Sequence, residues 1–581
     1  MPEELPGKEA LLEGPGLAGP ELDGGEAVLA ALRSLGIEHV FSSPGSEWAP
    51  VWEALARQRR DGIDGPAYHD LTHETLAVGM ATGYYLASRR MAAVLLHAGP
   101  GLLQGAVGVH GALLSGAAML VCSSESITYG EGGGPDPGSQ WYRNLSVLGG
   151  PHTFAAPWVK WSSQAPSVDV IYETVRRACE MAQRAPAGPV YLNLALEALL
   201  APWRAPQVRK PVAAPGARVS PAREIEAIAQ RLAVAERPVI LTESAGRDPE
   251  AFHALVGLAE QLAIPVVEPQ SAVCANFPKD HPLHVGSNVA HAADADMVLL
   301  VACRAPWYPP SASPAPGAEF VVIDDVPQRP HVVYQVLHAD HYLEGDVATT
   351  LSALAAQASG HIDSSLIERR RSRWSAVHAE QQAAIDADER KAQANTERIT
   401  PILLAKVLRE ELGEQAVFVD ETITHSRVLQ RHLRWNEPDR WIYVQGGLGQ
   451  GTAVALGVKV AWSQRPVVLA IGDGSFLYNP VIQALMASRA LGLPVLIVVF
   501  NNRQYLSMKF NHLRFYPDGV AVTEGDFSGV DLSAQPPLSE FGRPFGMPGW
   551  EVSEPAELRG VIREAAAAVA DGTTAIVNVV F

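Results

Sequence analysis

The chain has 581 residues, 47% hydrophobic and 19% charged, a balance that excludes disorder as its main state and leaves room for three or four domains. Lys+Arg 45 against Asp+Glu 63 gives a formal charge of -18, a field that repels phosphate backbones and anionic lipid, so no nucleic acid and no membrane is expected as a partner. No apolar run approaches the roughly 18 residues of a membrane span, the acidic start MPEELPGKEALLEGPGLAGPELDGGE lacks a signal-peptide pattern, and Cys122, Cys179, Cys274 and Cys303 form no metal or disulfide spacing; the expected location is cytoplasmic.

In chain order, residues 1–23 read as a flexible tail. From 24 onwards short apolar runs alternate with helical patterns in the rhythm of parallel sheets wrapped by helices. The expected class is α/β, with three doubly wound parallel-sheet domains. The first, 24–200, has candidate strands at Val40–Ser42, Ala92–Leu96, Ala118–Val121 and Val190–Leu194. In it, the turn S-S-P-G-S-E-W-A-P offers Ser46 as a helix N-cap, a position Ser favours. HDLTHETLAVGMATGYYLAS puts Glu74 in the first turn of a helix capped by Thr72, where the helix dipole favours an acid whatever its role. His97 ends the strand MAAVLLH ahead of A-G-P-G; read alone, it is either a satisfied structural residue or a group at the ligand-binding carboxyl edge of the sheet.

Residues 201–221, APWRAPQVRKPVAAPGARVSP, are too Pro-rich for an element and read as a linker. The second domain, 222–357, carries strands at Pro238–Leu241, Ile264–Val267, Met297–Val301 and Phe320–Ile323. Residues 358–398, with ERRRSRW and DADERKAQANTER, read as a solvated connecting helix, and the third domain is 399–581. No internal sequence repeat is visible.

The third domain holds RPVVLAIGDGSFLYNPVIQALMASRALGLPVLIVVFNNRQY, 465–505, in which Pro466–Ile471 and Pro494–Phe500 read as parallel strands around a helical stretch. Asp473 and Asn502 fall just past the carboxyl ends of these strands. One anionic and one amide oxygen from two loops form an incomplete cage that suits a hard cation such as Mg²⁺. Taken singly, each has a bland reading, an Asp closing a strand and an N-N turn. VDETIT, 419–424, follows a strand and precedes a helix, where hydroxyls and N–H groups hold a phosphate or simply cap the helix. Q-G-G-L-G, 445–449, is a loop whose glycines permit close backbone approach.

Together, G-D-G-S at 472–475 and N-N at 501–502 resemble the metal and diphosphate signature of thiamine diphosphate (ThDP) dependent enzymes. The chain from 24 to 581 is similar to the branch containing acetolactate synthase, pyruvate decarboxylase and benzoylformate decarboxylase. The resemblance implies pyrimidine-binding, middle and diphosphate-binding domains in that order, with ThDP and Mg²⁺ as cofactors. It implies that Asp473 and Asn502 ligate Mg²⁺ by side chain and Gln504 by its carbonyl. Gly472, Gly474, Ser475 and Tyr505 would lie on the diphosphate, with Thr422 and Thr424 helping to grip it. Gly446 would accept from the aminopyrimidine, and Leu448 would prop the cofactor into its bent shape. Glu74 would share a proton with N1′ of that ring, its pKa raised by burial against the small and apolar run Thr75 to Thr82. In this family the acid comes from one subunit and the diphosphate grip from another, so a homodimer or dimer of dimers is expected. The interval from Asp473 to Asn502 is 29 positions, about two longer than the family pattern, and the extra length is expected near Tyr478–Pro480.

The implied reaction is non-oxidative decarboxylation of a 2-oxo acid, followed by release of an aldehyde or carboligation to a second carbonyl. By resemblance to benzoylformate decarboxylase, Ser46 faces the substrate carboxylate and His97 transfers the proton that releases the aldehyde. Acetolactate synthases usually carry a small residue at the latter position. The paired histidines of pyruvate decarboxylase have no match in SSESITYGEGGG, 123–134. Nor has the middle-domain histidine of benzoylformate decarboxylase in CRAPWYPPSA, 303–312, where Trp307, Tyr308 and Pro309 either line the site or build a turn. Leu506, Ser507, Met508 and Phe510 are either substrate wall or helix core. Decarboxylation is the first expectation and acetolactate synthase-type carboligation the alternative. A degenerate nucleotide-binding regulatory protein would lack Glu74 or the metal pair, and both are present. The middle domain is open to FAD or an adenine nucleotide, which no residue pattern supports. A dehydrogenase is not expected, because no G-x-G-x-x-G follows an early strand.

Overall fold

The computed structural model describes residues 22–581 except 44, 128–134, 136–144, 146–148, 206–215, 305, 308–313, 315–316 and 330–337. Most of the expected tail therefore lies outside the described residues, and its last two, Leu22–Asp23, form a short strand antiparallel to Pro202–Trp203, at the start of the expected linker. Asp23 also caps the first helix, Gly24–Ser34, by accepting from the Glu26 amide at 3.0 Å.

The first sheet contains β1 (His39–Ser42), β2 (Ala67–Asp70), β3 (Ala92–Leu95), β4 (Met119–Ser123), β5 (Trp161–Ala165) and β6 (Pro189–Leu194) in the spatial order β2-β1-β3-β4-β6-β5, all parallel. The second contains β7 (Pro238–Thr242), β8 (Val266–Val267), β9 (Met297–Val301), β10 (Glu319–Asp324) and β11 (His341–Glu344) in the order β8-β7-β9-β10-β11. The third contains β12 (Val417–Glu421), β13 (Trp441–Tyr443), β14 (Val467–Gly472), β15 (Leu496–Asn501), β16 (Gly549–Val552) and β17 (Ala575–Val580), ordered β13-β12-β14-β15-β17-β16. The first and third orders are identical, so a structural duplication exists where no sequence repeat was visible. A parallel sheet needs only buried central strands and right-handed crossovers, which many sequences provide.

The duplicated sheets share one core. Phe41, Val94 and Val121 from the first sheet and Val419, Leu469 and Ile497 from the third belong to a single buried cluster, joined through two crossing helices, Glu74–Ser88 and Gly451–Ala461. Both helices are buried nearly all round, as expected of helices without a polar face. Burying side chains such as Leu76 and Met80 contributes about 1.5–3 kcal/mol each. The middle sheet has its own core.

The charged 358–398 segment differs from expectation. It forms a 31-residue helix, Ser364–Ala394, whose stripe Leu366, Ile367, Arg370, Trp374, His378, Ile385, Glu389 and Ala392 is buried, so it is not simply solvated. Ile367 and Trp374 enter the middle core, and Ala392 enters the core on the far face of the third sheet. Glu389 receives both terminal nitrogens of Arg409 at 2.9 Å. No helix among the described residues is long and apolar enough to cross a membrane, and all four cysteines are buried and free.

Candidate functional site

The acid end of the site is built on the carboxyl edge of the first sheet. The chain leaves β2 through a three-residue turn and enters the Glu74 helix. The cap is His73, whose Nδ1 accepts from the Thr75 amide at 3.2 Å, and not Thr72 as the residue pattern suggested. Glu74 is only half-buried within one chain. It faces the next helix, Pro100–Ser115, at Gly101, where a Cβ would stand 3.1 Å from Glu74 Oε1 and 2.8 Å from the Cβ of His97. Gly101 thus brings Glu74 and His97 to one spot.

His97 is not a lone histidine. Its Nδ1 lies 2.8 Å from Oε1 of Glu47, and the same oxygen accepts from the Ala98 amide at 2.7 Å. The next amide, Gly99, donates to a second buried acid, Glu125, at 3.1 Å. The Glu47 hydrogen bond raises the His97 pKa against the opposing effect of burial, with Glu74 adding a smaller electrostatic contribution. Ser46 is not an N-cap: Gly45 occupies the cap position of the 3₁₀ turn Ser46–Trp48 without a side-chain bond, and Ser46 is exposed.

The other end is built on the third sheet, where β14 and β15 are neighbours in register, Gly472 opposite Phe500. Asp473 opens the short helix Asp473–Tyr478. Its carboxyl is buried, and burial pushes its pKa up to about 6 against the backbone amides of Gly474, Arg503 and Gln504. Its Oδ2 is buried with no hydrogen-bond partner, an anionic oxygen left over for a cation. Asn502 Oδ1 accepts from the Gln504 amide at 3.0 Å, and the Gln504 carbonyl accepts from the Leu506 amide at 2.9 Å; each oxygen retains a second lone pair. Among the described residues no group of three His, Cys, Asp or Glu converges, so a cation here would rest on one carboxylate with amide and carbonyl oxygens, a set that fits Mg²⁺. Ser475 is buried, and the Tyr505 ring covers Gly474 so closely that a Cβ there would lie 2.4 Å from the ring.

The flanking loops carry strain. Ile423, between Thr422 and Thr424, has φ 54°, and Arg503 has φ 55°, left-handed conformations that a β-branched residue in particular avoids. Thr422 is buried and donates its hydroxyl hydrogen to Asp420 Oδ1 at 2.8 Å, whereas Thr424 is half-exposed. Gly446 has φ 97°, and a Cβ on it would stand 2.3 Å from the Cα of Gly111. Leu448 is half-buried. Where extra length was expected, near Tyr478–Pro480, the chain breaks between two helices, Asp473–Tyr478 and Val481–Leu491. Asn479 ties this break down: its oxygen accepts from the Thr452 amide and hydroxyl at 3.0 and 2.9 Å, and its nitrogen donates to Glu421 at 2.8 Å.

Residue reasoning missed Glu47, Glu125, Glu421, Asn479 and His425, whose Nε2 lies 3.5 Å from the Asn502 amide nitrogen. Glu47 did leave a signal, an acid wedged between a turn and Trp48. Met508 and Phe510 are exposed and are not core within the chain, while Trp307 packs edge-on against Phe320; Tyr308 and Pro309 lie outside the described residues. Among the described residues, no hydrogen bond or ion pair within one chain joins Glu47, Glu74 or His97 to the 419–424, 445–449 or 472–505 segments.

Comparison with known proteins bears on both ends. The N-terminal TPP binding domain, central domain and C-terminal TPP binding domain of thiamine pyrophosphate enzymes match residues 22–144, 225–354 and 422–579. A Pseudomonas aeruginosa protein named "Probable 2-ketoarginine decarboxylase" is 27% identical, covering 94% of this chain and 91% of the relative. The Escherichia coli acetolactate synthase isozyme 3 large subunit is 26% identical, covering 96% and 94%. A solved structure, the Rhodococcus jostii thiamine diphosphate-dependent 4-hydroxybenzoylformate decarboxylase, shares the fold with TM-score 0.77 at 22% identity, covering 96% of this chain and 98% of that one. With all three domains present in order, and with a buried unpaired carboxyl oxygen at the carboxyl edge of the third sheet, the chain belongs to the thiamine pyrophosphate enzyme family.

Proposed function

We propose that the protein is a ThDP- and Mg²⁺-dependent decarboxylase of a small 2-oxo acid that releases an aldehyde. The observation that carries this reading is His97, held by Glu47 and adjacent to Glu74 across Gly101. ThDP, when bound, supplies the electron sink that makes loss of CO₂ from a 2-oxo acid feasible. The rest falls to this chain. Asp473, Asn502 and the Gln504 carbonyl hold Mg²⁺; Thr424, the Thr422 loop, Gly472, Gly474, Ser475 and Tyr505 receive the diphosphate. Gly446 would offer its carbonyl to the aminopyrimidine, with Leu448 packing beside it. Glu74 exchanges a proton with the ring nitrogen. His97 delivers a proton to the product carbon before release, and Ser46, exposed at the mouth of the acid end, receives the substrate carboxylate.

A second copy of the chain completes the site in this reading. Support comes from apolar side chains left in solvent. Leu103 and Val107 on helix Pro100–Ser115 are 51% and 55% exposed, and Ile482 and Met486 on helix Val481–Leu491 are 48% and 41% exposed. The second reading is carboligation, favoured by full-length similarity to an acetolactate synthase at almost the same identity as to a decarboxylase.

The test is reconstitution with ThDP and Mg²⁺ and a panel of 2-oxo acids, following CO₂ and products by mass spectrometry. The expected result is an aldehyde equimolar with CO₂ from at least one substrate. Exclusively ligated products would transfer the assignment to the second reading, and no CO₂ from any 2-oxo acid would sink both.

A further inference from the structure

The 97–99 loop is held by two buried acids from different elements, and they do different things. Glu125, two residues past β4, accepts from the backbone of this loop at the Gly99 amide. Glu47, on the turn after β1, is 2% exposed and uses a single oxygen for both the Ala98 amide and the imidazole of His97. An ionised carboxylate can only accept, so the hydrogen of a neutral His97 ring sits on Nδ1. Nε2 is then the basic atom, and it has no partner among the described residues. Gly45, two residues before Glu47, leaves no slack: a Cβ on it would stand 2.3 Å from His97 Nδ1 and 2.4 Å from both Glu47 carboxylate oxygens. This is the arrangement by which a buried acid fixes the tautomer and orientation of a proton-transferring histidine.

We propose that Glu47 is a positioning residue for proton transfer, selecting the Nδ1–H tautomer of His97 and holding its Nε2 toward the reacting carbon. This rests on the reading of His97 as the proton donor. Two carboxylates flank the ring, Glu47 in direct contact and Glu74 across Gly101, while Glu125 holds the loop at the Gly99 amide. Of these, Glu47 exerts the largest effect on His97, and it raises the pKa. Protonated His97 therefore persists to higher pH than a free histidine, keeping the donor loaded as product forms. The step balances simply: Nε2–H breaks, a C–H bond forms at the product carbon, and solvent reloads the ring.

The experiment uses the ThDP- and Mg²⁺-loaded full-length enzyme. Glu47→Gln keeps an oxygen for the Ala98 amide and removes the charge; Glu47→Asp keeps the charge and shortens the arm. The expected outcome for Glu47→Gln is a His97 titration, read by NMR of ¹³C-labelled histidine against a His97→Ala reference, lowered by about one unit or more. The basic limb of the kcat–pH profile moves with it, aldehyde release falls at least tenfold above that limb, and Glu47→Asp recovers part of each. An unmoved titration and profile in Glu47→Gln, with His97→Ala still crippling aldehyde release, would overturn the role of Glu47 and leave the function standing. If His97→Ala releases aldehyde at the wild-type rate, the proton-donor reading fails, even where the Glu47→Gln titration moves. A Glu47→Gln enzyme that does not fold passes the decision to Glu47→Asp, whose profile must shift if the proposal holds and not shift if it is wrong.

Discussion

The first and third sheets have the same strand order, and their carboxyl edges are finished in opposite ways. At the first, the polar groups are paired inside the chain: His97 with Glu47, the Ala98 amide with Glu47, the Gly99 amide with Glu125. At the third, Asp473 keeps an orphaned buried oxygen, Ile423 and Arg503 sit in left-handed conformations, and Gly446 presents its backbone at φ 97°. One edge binds its 97–99 loop with acids of the same chain. The other carries unsatisfied and strained groups, the condition of a surface preorganised for a charged ligand. A common topology thus fixes where chemistry occurs, at the ends of parallel strands, and leaves its kind to the loop residues.

This contrast can be broken. The largest effect is expected at the paired edge: Glu74→Gln should lower kcat by about 10²-fold or more, while isothermal titration shows ThDP still binding. A variant that turns over near the wild-type rate would remove the acid end from the chemistry. At the unpaired edge the loss should fall on affinity. Asp473→Asn is expected to weaken Mg²⁺-dependent ThDP binding by about 10- to 100-fold, or about 1.4–2.7 kcal/mol, with little loss of apo-protein melting temperature, because an oxygen is kept for the amides of Gly474, Arg503 and Gln504 while the replaced Oδ2 has no partner within the chain. A large apo destabilisation with unchanged affinity would erase the distinction between the edges.

A residue at neither edge sharpens it. Glu389 is held well below its ordinary 4.5, against the cost of burial, by His432, Arg409 and Arg434. A depressed acid stabilises the fold above its unfolded pKa and loses that contribution as pH falls. Glu389→Gln should therefore cost about 1–3 kcal/mol in urea melts at pH 7, a partly solvated pair being discounted, and the gap to wild type should close below about pH 4. A gap independent of pH would mean that packing, not charge, is what Glu389 supplies. The smallest effect is expected for Gly446→Ala, about 1 kcal/mol or more, from its positive φ and the Gly111 contact, with ThDP affinity falling in parallel.

Much of this was legible in the residues. The central strands were, because strands buried on both faces read as continuous apolar runs, as in VVLAI and LIVVF. The strands AYHD (β2), WSSQA (β5) and HYLE (β11) were not, and all three lie at sheet edges, where one side meets solvent and the apolar run is diluted. The Asp473 and Asn502 pair was visible because both residues sit within one strand-helix-strand unit. The cap expected at Ser46 follows from the frequency of Ser at caps, which says nothing of its neighbour Glu47 and its bond to His97.

The amino-acid order alone determined the α/β class, the three successive sheets and the placement of Glu74, His97, Asp473 and Asn502 after strands, because each depends on local apolar periodicity and short-range turns. The tertiary structure decided what those residues touch. Glu47 and His97 are 50 positions apart and meet only because β1 and β3 are neighbours in the sheet. Such a pairing is set by strand order, a long-range property that no window of residues contains.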